Sequence, residues 1–232
     1  MKLSVIIPVY NEARTIDTII KKVQSSPLPN EVTKEIIIVN DGSTDNTPQI
    51  LEKHTPSSGI KVLHQDQSHG KTAAVCIGIK HAAGDIIIIQ DADLEYNPED
   101  YSNLITPIIK QAASVVYGSR FKGTIKKMTW INRFANILSN ITFNLLFSTN
   151  ISDINTCYKV FKQDILKSIT IETRNFGFDT EVTTKLIKNG HKIHEVPINY
   201  VARSKKEGKK INWGQALEIY WIIFKYRFKS TT

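Results

Sequence analysis

Short runs of apolar residues, most of them β-branched, mark the first part of the chain. They lie at residues 3–8, 35–40 and 85–90, and the last run contains four consecutive isoleucines. Apolar residues that do not alternate with polar ones are typical of strands covered on both faces, as in a parallel sheet. We therefore predict three central strands at these positions.

Helical patterns separate the predicted strands. Residues 11–24 have one apolar face, and residues 70–83 are rich in alanine and are followed by Gly84, a residue type that commonly ends helices. Weaker strand patterns occur at residues 61–64 and 115–118. Strand and helix in alternation predict the α/β class, with a doubly wound sheet.

The second half of the chain has a different pattern of residue types. Residues 120–128 are basic and contain no acidic residue, so we predict a loop there, and residues 130–147 carry a long helical pattern. A further helix is predicted at residues 178–189 and a strand at residues 194–200, before an aromatic helix near the C-terminus. Because no repeat or linker is visible, we expect this half to elaborate the same domain.

The length of 232 residues is typical of one sizeable α/β domain. We therefore expect one domain over residues 1–212, followed by an amphipathic helix over residues 213–232. A hydrophobic content of 41% with 22% charged residues excludes wholesale disorder. The net charge of +8 suggests an anionic partner, which by itself leaves phosphate, nucleic acid and membrane open.

Cysteine content and targeting signals bear on location. Cys76 and Cys157 are too few for a disulfide framework, which fits a reducing compartment. No signal-peptide pattern follows Met1, and no apolar run is long enough to span a bilayer. We therefore expect a cytoplasmic protein.

Acidic and polar residues follow each of the three apolar runs. In open parallel sheets, ligands bind beyond the carboxyl ends of the strands, near the point where the strand order reverses. The residues at these ends are Tyr10, Asn11 and Glu12 after the first run, Asp41 and Asp45 after the second, and Asp91, Asp93 and Glu95 after the third. This edge of the sheet is therefore the predicted functional site.

The Asp91-Ala92-Asp93 segment is the most informative part of this site. Carboxylates at positions i and i+2 of an extended backbone point to one side and can share a cation. Mg²⁺ or Mn²⁺ takes a few carboxylate oxygens and completes its coordination with water and substrate phosphate. The structural alternative is a solvated turn whose aspartates make local hydrogen bonds. The position after a buried strand, beside Asp41, favours the metal site.

Two further segments suggest nucleotide chemistry. Asp41 is able to bind a base or ribose, and Tyr10 to stack on the base, although a strand-to-helix turn explains the same residues. Gly70-Lys71-Thr72 resembles the end of a phosphate-binding loop, but the first glycine of that motif is missing, so a Walker ATPase is not expected. Lys71 either meets a phosphate at a helix start or is simply solvated.

Six stretches of the sequence together resemble the family 2 glycosyltransferases of GT-A fold, and within them the polyprenol-phosphate and dolichol-phosphate mannosyl- and glucosyltransferases. The stretches are SVIIPVYNE at 4–12, IVNDGSTD at 38–45, GDIIIIQDADLEYNPED at 84–100, GSRF at 118–121, DINTCYKVF at 153–161 and EVPINYVARSKKEGKK at 195–210. The resemblance implies a Rossmann-like GT-A fold with a mostly parallel central sheet flanked by helices.

The resemblance also implies roles for individual residues. The nucleoside of the donor is expected to contact Pro8, Tyr10, Glu12, Val39 and Asp41. The donor diphosphate and a Mg²⁺ or Mn²⁺ ion are expected at Asp91, Ala92 and Asp93, with Glu95 as a further metal ligand where relatives often have Gln. Arg120, Arg203 and Lys209 match basic positions that face the donor diphosphate and the acceptor phosphate.

The implied activity is transfer of mannose or glucose, with inversion, from a GDP- or UDP-sugar to a polyprenyl phosphate. If the acceptor is instead a sugar hydroxyl of a surface polysaccharide, a base is needed, and Asp179 or Glu181 is the candidate. Capping of a helix N-terminus explains this pair equally well. A nucleotide-sugar binding protein without turnover is a third reading, whereas acidic residues at the cleft argue against nucleic acid.

Two apolar helical stripes suggest a route to a lipid acceptor. The first contains Trp130, Phe134, Ile137, Leu138, Ile141 and Leu145, and the second contains Trp213, Leu217, Tyr220, Trp221, Phe224 and Phe228. Either stripe is able to cover the core, but the second is flanked by cations, as in helices that lie on anionic membranes. We expect peripheral binding to the cytoplasmic face of a membrane, where a membrane-spanning partner protein is a possible further anchor.

Overall fold

A computed structural model describes residues 1–55, 57–173, 177–204 and 213–229, with side chains from residue 218 onward in the last range. The strands are β1 (Lys2–Val9), β2 (Thr33–Asn40), β3 (Ile60–His64), β4 (Ile86–Ile89), β5 (Val115–Lys126), β6 (Lys159–Lys162) and β7 (His194–Val201). The helices are α1 (Ile16–Ser25), α2 (Thr47–Glu52), α3 (Lys71–His81), α4 (Tyr101–Ile109, after a 3₁₀ turn at Pro98–Asp100), α5 (Trp130–Phe147), α6 (Gln163–Lys167), α7 (Phe178–Lys188) and α8 (Trp213–Phe228).

The strands form a seven-stranded sheet with the order β3-β2-β1-β4-β6-β5-β7. Within it β6 runs antiparallel to both of its neighbours, and the other pairs are parallel. The strand order reverses between β1 and β4, because β2 and β3 lie on one side of β1 and β4 on the other. The carboxyl ends of β1, β2, β4 and β7 therefore share one edge of the sheet.

The centre of the sheet is apolar because its strands are covered on both faces. All four isoleucines of β4 are buried, and β1 is buried from Leu3 to Val9. Helix α3 lies close against β1, since a Cβ added at Gly78 would come within 2.3 Å of the Ile6 side chain. The predicted α/β class and the mostly parallel sheet flanked by helices are confirmed.

Several predicted boundaries are wrong, and one reason is pairing between distant strands. The segment predicted as a basic loop at residues 120–128 is mostly strand, because β5 continues to Lys126 and pairs with β7 beyond an irregularity between Ser119 and Thr124. The first helix begins at Ile16 rather than residue 11. Strand β6 and helix α4 were not anticipated.

Helix α5 turns its apolar stripe outward. All six residues of the predicted stripe are exposed, from 39% at Ile137 to 78% at Trp130 and Leu145. The opposite face carries Ser139, Asn140 and Phe143, which are buried. The stripe therefore does not cover the core, and α5 is attached to the rest of the protein by its amide side chains and by Phe143, which packs with Ile151, Ile154 and Ile223. None of the described helices combines the length and apolar character needed to cross a bilayer.

A buried carboxylate attaches α8 to α7. Glu181 is inaccessible to solvent and accepts hydrogen bonds from the Tyr226 hydroxyl at 2.6 Å and from Thr173, and it forms an ion pair with Lys185 at 2.7 Å. Burial opposes ionisation, but the hydrogen bonds from Lys185, Tyr226 and Thr173 hold the pKa of Glu181 below its ordinary value. The C-terminal helix is thus held by a charge-assisted bond.

Replacing Tyr226 with Phe tests this attachment. We expect Tyr226→Phe to lower the free energy of unfolding by about 1.5–3 kcal/mol at neutral pH, because a hydrogen bond to a buried charged acceptor is lost. The loss should shrink as the pH falls, since the depressed pKa of Glu181 gives a stabilisation that protonation removes. Urea denaturation at several pH values measures both effects. Tyr220→Phe on the same helix is the matched control, and an equal effect of the two changes would contradict the account.

Candidate active site

The carboxyl ends of β1 and β4 meet where the strand order reverses, and acidic residues gather there. Glu12 follows β1, whereas Asp91 and Asp93 follow β4. The segment after β7 reaches the same place, because Arg203 contacts both groups of carboxylates. The structure therefore brings together four of the predicted site residues from three separate strand ends.

Each aspartate of the D-x-D segment has a cationic partner. The ammonium group of Lys71, the first residue of α3, lies 2.6 Å from Asp91 Oδ1. The Arg203 guanidinium lies 2.9 Å from Asp93 Oδ2 and 3.0 Å from Glu12 Oε2. These side chains are between 11% and 22% exposed. The ion pairs thus lie at the rim of the cleft, within reach of a ligand.

The charges of this cluster shift the pKa values of its members. Burial and the neighbouring carboxylates of Asp91 and Glu95 raise the pKa of Asp93 to about 7, although Arg203 acts in the opposite direction. Burial acts to lower the pKa of Lys71, but Asp91 raises it well above its ordinary value. Among the described residues, the cluster thus brings the carboxylates of Glu12, Asp91, Asp93 and Glu95 together with Lys71 and Arg203.

Glu95 attaches the loop after β4 to the end of β7. Its carboxylate accepts hydrogen bonds from the Tyr200 hydroxyl at 2.7 Å and the Arg203 amide at 2.6 Å. Its main-chain oxygen accepts a third from the Val201 amide at 3.0 Å. Leu94, just before it, has a left-handed backbone with φ of 62°. These bonds join Glu95 to the segment 200–203, and its predicted role as a metal ligand stays a prediction.

The fit of the acidic cluster to a divalent ion depends on how many ligands the protein itself has to supply. Among the described residues, no three histidine, cysteine or acidic side chains are grouped closely enough to hold a metal by themselves. Mg²⁺ and Mn²⁺ sites in phosphate-transfer enzymes need only one or two carboxylates, because substrate phosphates and water supply the other ligands. Asp91 and Asp93, two carboxylates at the end of a buried strand, fit this second kind of site.

Asp41 lies below the cleft and anchors the loop that leads to Lys71. Its carboxylate is 3% exposed and accepts hydrogen bonds from the Gln65 and Ser68 side chains and from the main-chain amides of His69 and Gly70, at 2.6–2.9 Å. Gly42 fits against this loop with φ of 64°, where a Cβ would lie 2.5 Å from the Gln67 backbone. Asp41 therefore holds the loop before α3 in position beside the site. Its direct contact with a nucleoside stays a prediction.

The remaining predicted nucleoside residues differ in exposure. Pro8, Val39 and Ala92 are buried in or beside the sheet, whereas the Tyr10 ring is 38% exposed. Asn11 has φ of 52°, and its side-chain oxygen accepts a hydrogen bond from the Thr44 amide at 2.8 Å. This bond joins the ends of β1 and β2. The Tyr10 ring is thus partly accessible, two residues before Glu12, and its stacking on a base stays a prediction.

Arg120 belongs to a buried network beside the cleft. Its guanidinium makes two bonds of 2.7 Å to Asp153 and lies 5.1 Å from the centre of the Tyr200 ring, the residue that donates to Glu95. It also donates to Asn136 of α5 at 3.2 Å. Arg120 is thereby linked to the acidic cluster through Tyr200, while its predicted contact with a phosphate stays a prediction.

Asp179 stands at the start of α7 and has a buried partner that the sequence analysis missed. Lys159 is fully buried, and its ammonium lies 2.9 Å from Asp179 and also donates to the main-chain oxygens of Ile154 and Thr156. Burial lowers the pKa of Lys159, and Asp179 opposes that shift. A lysine beginning an apolar strand was the available signal. The remaining predicted cation, Lys209, lies outside the described residues.

Comparison with other proteins finds relatives over most of the chain. The polyprenol monophosphomannose synthase of Mycolicibacterium smegmatis is 27% identical over 233 residues, covering 94% of this chain and 86% of that protein. The undecaprenyl-phosphate mannosyltransferase of Micrococcus luteus is 25% identical over 218 residues, covering 90% and 87%. The dolichol-phosphate mannosyltransferase of Pyrococcus furiosus is 27% identical over 216 residues, which are 90% of this chain and 59% of that protein.

Solved structures share the fold. Glucosyl-3-phosphoglycerate synthase of Mycobacterium tuberculosis, in complex with Mn²⁺, UDP and glucosyl-3-phosphoglycerate, superimposes with a TM-score of 0.76 at 18% identity, covering 100% of this chain and 81% of that one. The predicted GT-A architecture is thereby confirmed. The sequence model of the family described as "Glycosyl transferase family 2" matches residues 4–170. Because that match spans most of the chain, this protein belongs to glycosyl transferase family 2 and is a glycosyltransferase.

Proposed function

We propose that this enzyme transfers a hexose, mannose or glucose, from a GDP- or UDP-sugar to a polyprenyl phosphate, with inversion at the anomeric carbon. The observation that carries the proposal is the acidic cluster at the strand-order reversal, where Asp91 and Asp93 lie beside Lys71 and Arg203. The relatives named above are mannosyltransferases of dolichol-, polyprenol- or undecaprenyl-phosphate type. The acidic cluster supports a donor whose diphosphate is held through a metal ion, and the relatives support an anionic lipid acceptor.

On the donor side, Asp91 and Asp93 are the residues that would hold Mg²⁺ or Mn²⁺. When bound, such an ion supplies positive charge that stabilises the departing nucleoside diphosphate. Lys71 lies at the N-terminus of α3, where the helix dipole also favours a phosphate. In this proposal the exposed Tyr10 ring stacks on the base, while Asp41 holds the loop that leads to Lys71.

On the acceptor side, a phosphate monoester is the favoured nucleophile. It is already anionic at neutral pH, so the enzyme has to orient it rather than deprotonate it. A sugar hydroxyl would need a base, and the candidate carboxylate of Asp179 forms an ion pair with the buried Lys159. This pairing makes Asp179 less available as a base and supports the phosphate acceptor. Attack opposite the leaving diphosphate inverts the anomeric carbon.

The outer faces of α5 and α8 form a surface suited to a lipid bilayer. Trp130, Phe134, Leu138, Ile141 and Leu145 of α5 are exposed, as are Trp221, Phe224 and Phe228 of α8, and α5 contacts α8. Lys126 and Lys127 precede α5 and Lys225 belongs to α8, so cations border the apolar face. Apolar side chains next to cations are what an anionic membrane surface binds. We infer that this surface, here called the α5–α8 face, binds the membrane that holds the acceptor.

Asp93→Asn tests the catalytic proposal. We expect transfer to fall by about 100-fold or more, because the change removes ligand charge with little change in volume. The assay uses radiolabelled GDP-mannose or UDP-glucose, Mn²⁺ and a short polyprenyl phosphate, and the product should be extractable into organic solvent and labile to mild acid. Asp164→Asn on α6 is the matched control and should keep wild-type activity. Full activity of Asp93→Asn, or a water-soluble product, would refute the proposal.

Flotation with lipid vesicles tests the α5–α8 face. We expect Phe134→Gln with Leu138→Gln to weaken binding to anionic vesicles by about tenfold or more, since each buried apolar side chain contributes up to about 1.5–3 kcal/mol. Lys126→Gln with Lys127→Gln should weaken binding at low salt, whereas the matched pair Lys22→Gln with Lys53→Gln should not. If binding depends neither on lipid charge nor on these α5 substitutions, the α5–α8 face is not the membrane-binding surface.

A further inference from the structure

We propose that Arg203 forms an ion pair with Asp93 while the donor site is empty. When a divalent ion binds the Asp93 carboxylate, the Arg203 guanidinium moves to the donor diphosphate and pairs with it instead. The proposal rests on the function proposed above and adds a specific exchange of ion-pair partners to it. Glu95 is the positioning residue that makes the exchange possible, because it holds the backbone of Arg203 at the site.

The side chain of Arg203 bridges the two strand ends that form the cleft. One guanidinium nitrogen lies 3.0 and 3.2 Å from the two carboxylate oxygens of Glu12, and the other lies 2.9 Å from Asp93 Oδ2. Asp93 is also one of the two aspartates that fit a divalent ion. Arg203 and the ion therefore compete for the same carboxylate as long as no phosphate is present.

The guanidinium is also incompletely satisfied in this position. Arg203 Nε is buried and has no hydrogen-bond partner among the described residues. A buried donor without a partner is costly, and an arginine fork that uses Nε together with a terminal nitrogen is suited to a phosphate. A diphosphate oxygen would supply the missing acceptor. The pairing with Glu12 and Asp93 is thus a resting arrangement that a phosphate ligand improves.

The backbone of Arg203 is fixed independently of its side chain. Glu95 accepts hydrogen bonds from the Arg203 amide, the Val201 amide and the Tyr200 hydroxyl. The guanidinium can consequently leave Asp93 without displacement of its own main chain. Glu95 also remains beside the site as negative charge that favours a cation, whichever cation is present. This separates the role of Glu95 from that of a direct metal ligand.

Because of this exchange, the metal ion and the nucleotide bind cooperatively. A divalent ion alone has to displace Arg203, whose charge then lacks a partner on Asp93. An ion that arrives with a diphosphate offers Arg203 a new anionic partner at the same time. The free enzyme is therefore expected to bind the metal weakly and to bind it much better together with the nucleotide.

Titrations of Arg203→Gln test this competition by binding alone. Mn²⁺ is titrated without nucleotide and followed by the paramagnetic resonance signal of the free ion, and GDP and UDP are then titrated in excess Mn²⁺. We expect Arg203→Gln to bind Mn²⁺ alone about threefold to tenfold more tightly than the wild type. In Mn²⁺ it should bind the preferred nucleotide at least about tenfold more weakly, which corresponds to about 1.4 kcal/mol.

Opposite signs of the two effects identify the exchange. Arg227→Gln on α8 carries the same change in charge outside the site and should alter neither affinity. Arg203→Lys keeps the charge but not the fork, so it should restore wild-type Mn²⁺ binding and only part of the nucleotide affinity. Unchanged Mn²⁺ affinity in Arg203→Gln would overturn the proposal, and weakening of both affinities would show a merely structural role.

The same titrations separate this proposal from the proposed function. If the wild type binds GDP or UDP with Mn²⁺ but Arg203→Gln does not tighten Mn²⁺ binding, the exchange fails and the transferase function stands. If the wild type binds neither nucleotide with Mn²⁺, the donor site itself fails. Thermal unfolding of each variant shows whether the fold is retained.

Discussion

The central constraint of this structure is a cluster of carboxylates at the reversal of strand order. Glu12 follows β1, whereas Asp91, Asp93 and Glu95 follow β4, and the parallel strands deliver both groups to one edge. Burial and the like charges of Asp91 and Glu95 raise the pKa of Asp93, and Arg203 opposes that shift. A cation beside Asp93 is therefore favoured, and the proposed donor chemistry follows from that requirement.

The location of the site was predictable from sequence, because it depends on local patterns. The buried runs of β1, β2 and β4 fix the strand ends, and in a parallel sheet the carboxyl ends of these strands lie together. What the sequence did not reveal is which residues pair across the site. The partners Lys71 with Asp91, Arg203 with Glu12 and Lys159 with Asp179 are far apart in the chain, and only the tertiary fold selects them.

Helix α5 is a second case in which the sequence alone leaves the contacts open. The spacing of its apolar residues identifies an apolar stripe, but this spacing does not tell whether the stripe faces the core or the solvent. The orientation of the helix follows from the asparagines of its opposite face, Asn136, Asn140 and Asn144. Their side chains form hydrogen bonds with Arg120 and with the segment near residues 151–155, so this face points inward. In β5, likewise, the pairing with β7 overrides a basic composition that is typical of a loop. Long-range polar contacts decided both cases.

The most direct test of the central claim is anomalous diffraction at the manganese edge from crystals grown with Mn²⁺ and the nucleoside diphosphate that binds. The account predicts one strong peak between the carboxylates of Asp91 and Asp93, in contact with the diphosphate. A bound nucleotide with no peak there, and with the Lys71–Asp91 and Arg203–Asp93 pairs intact, would contradict it.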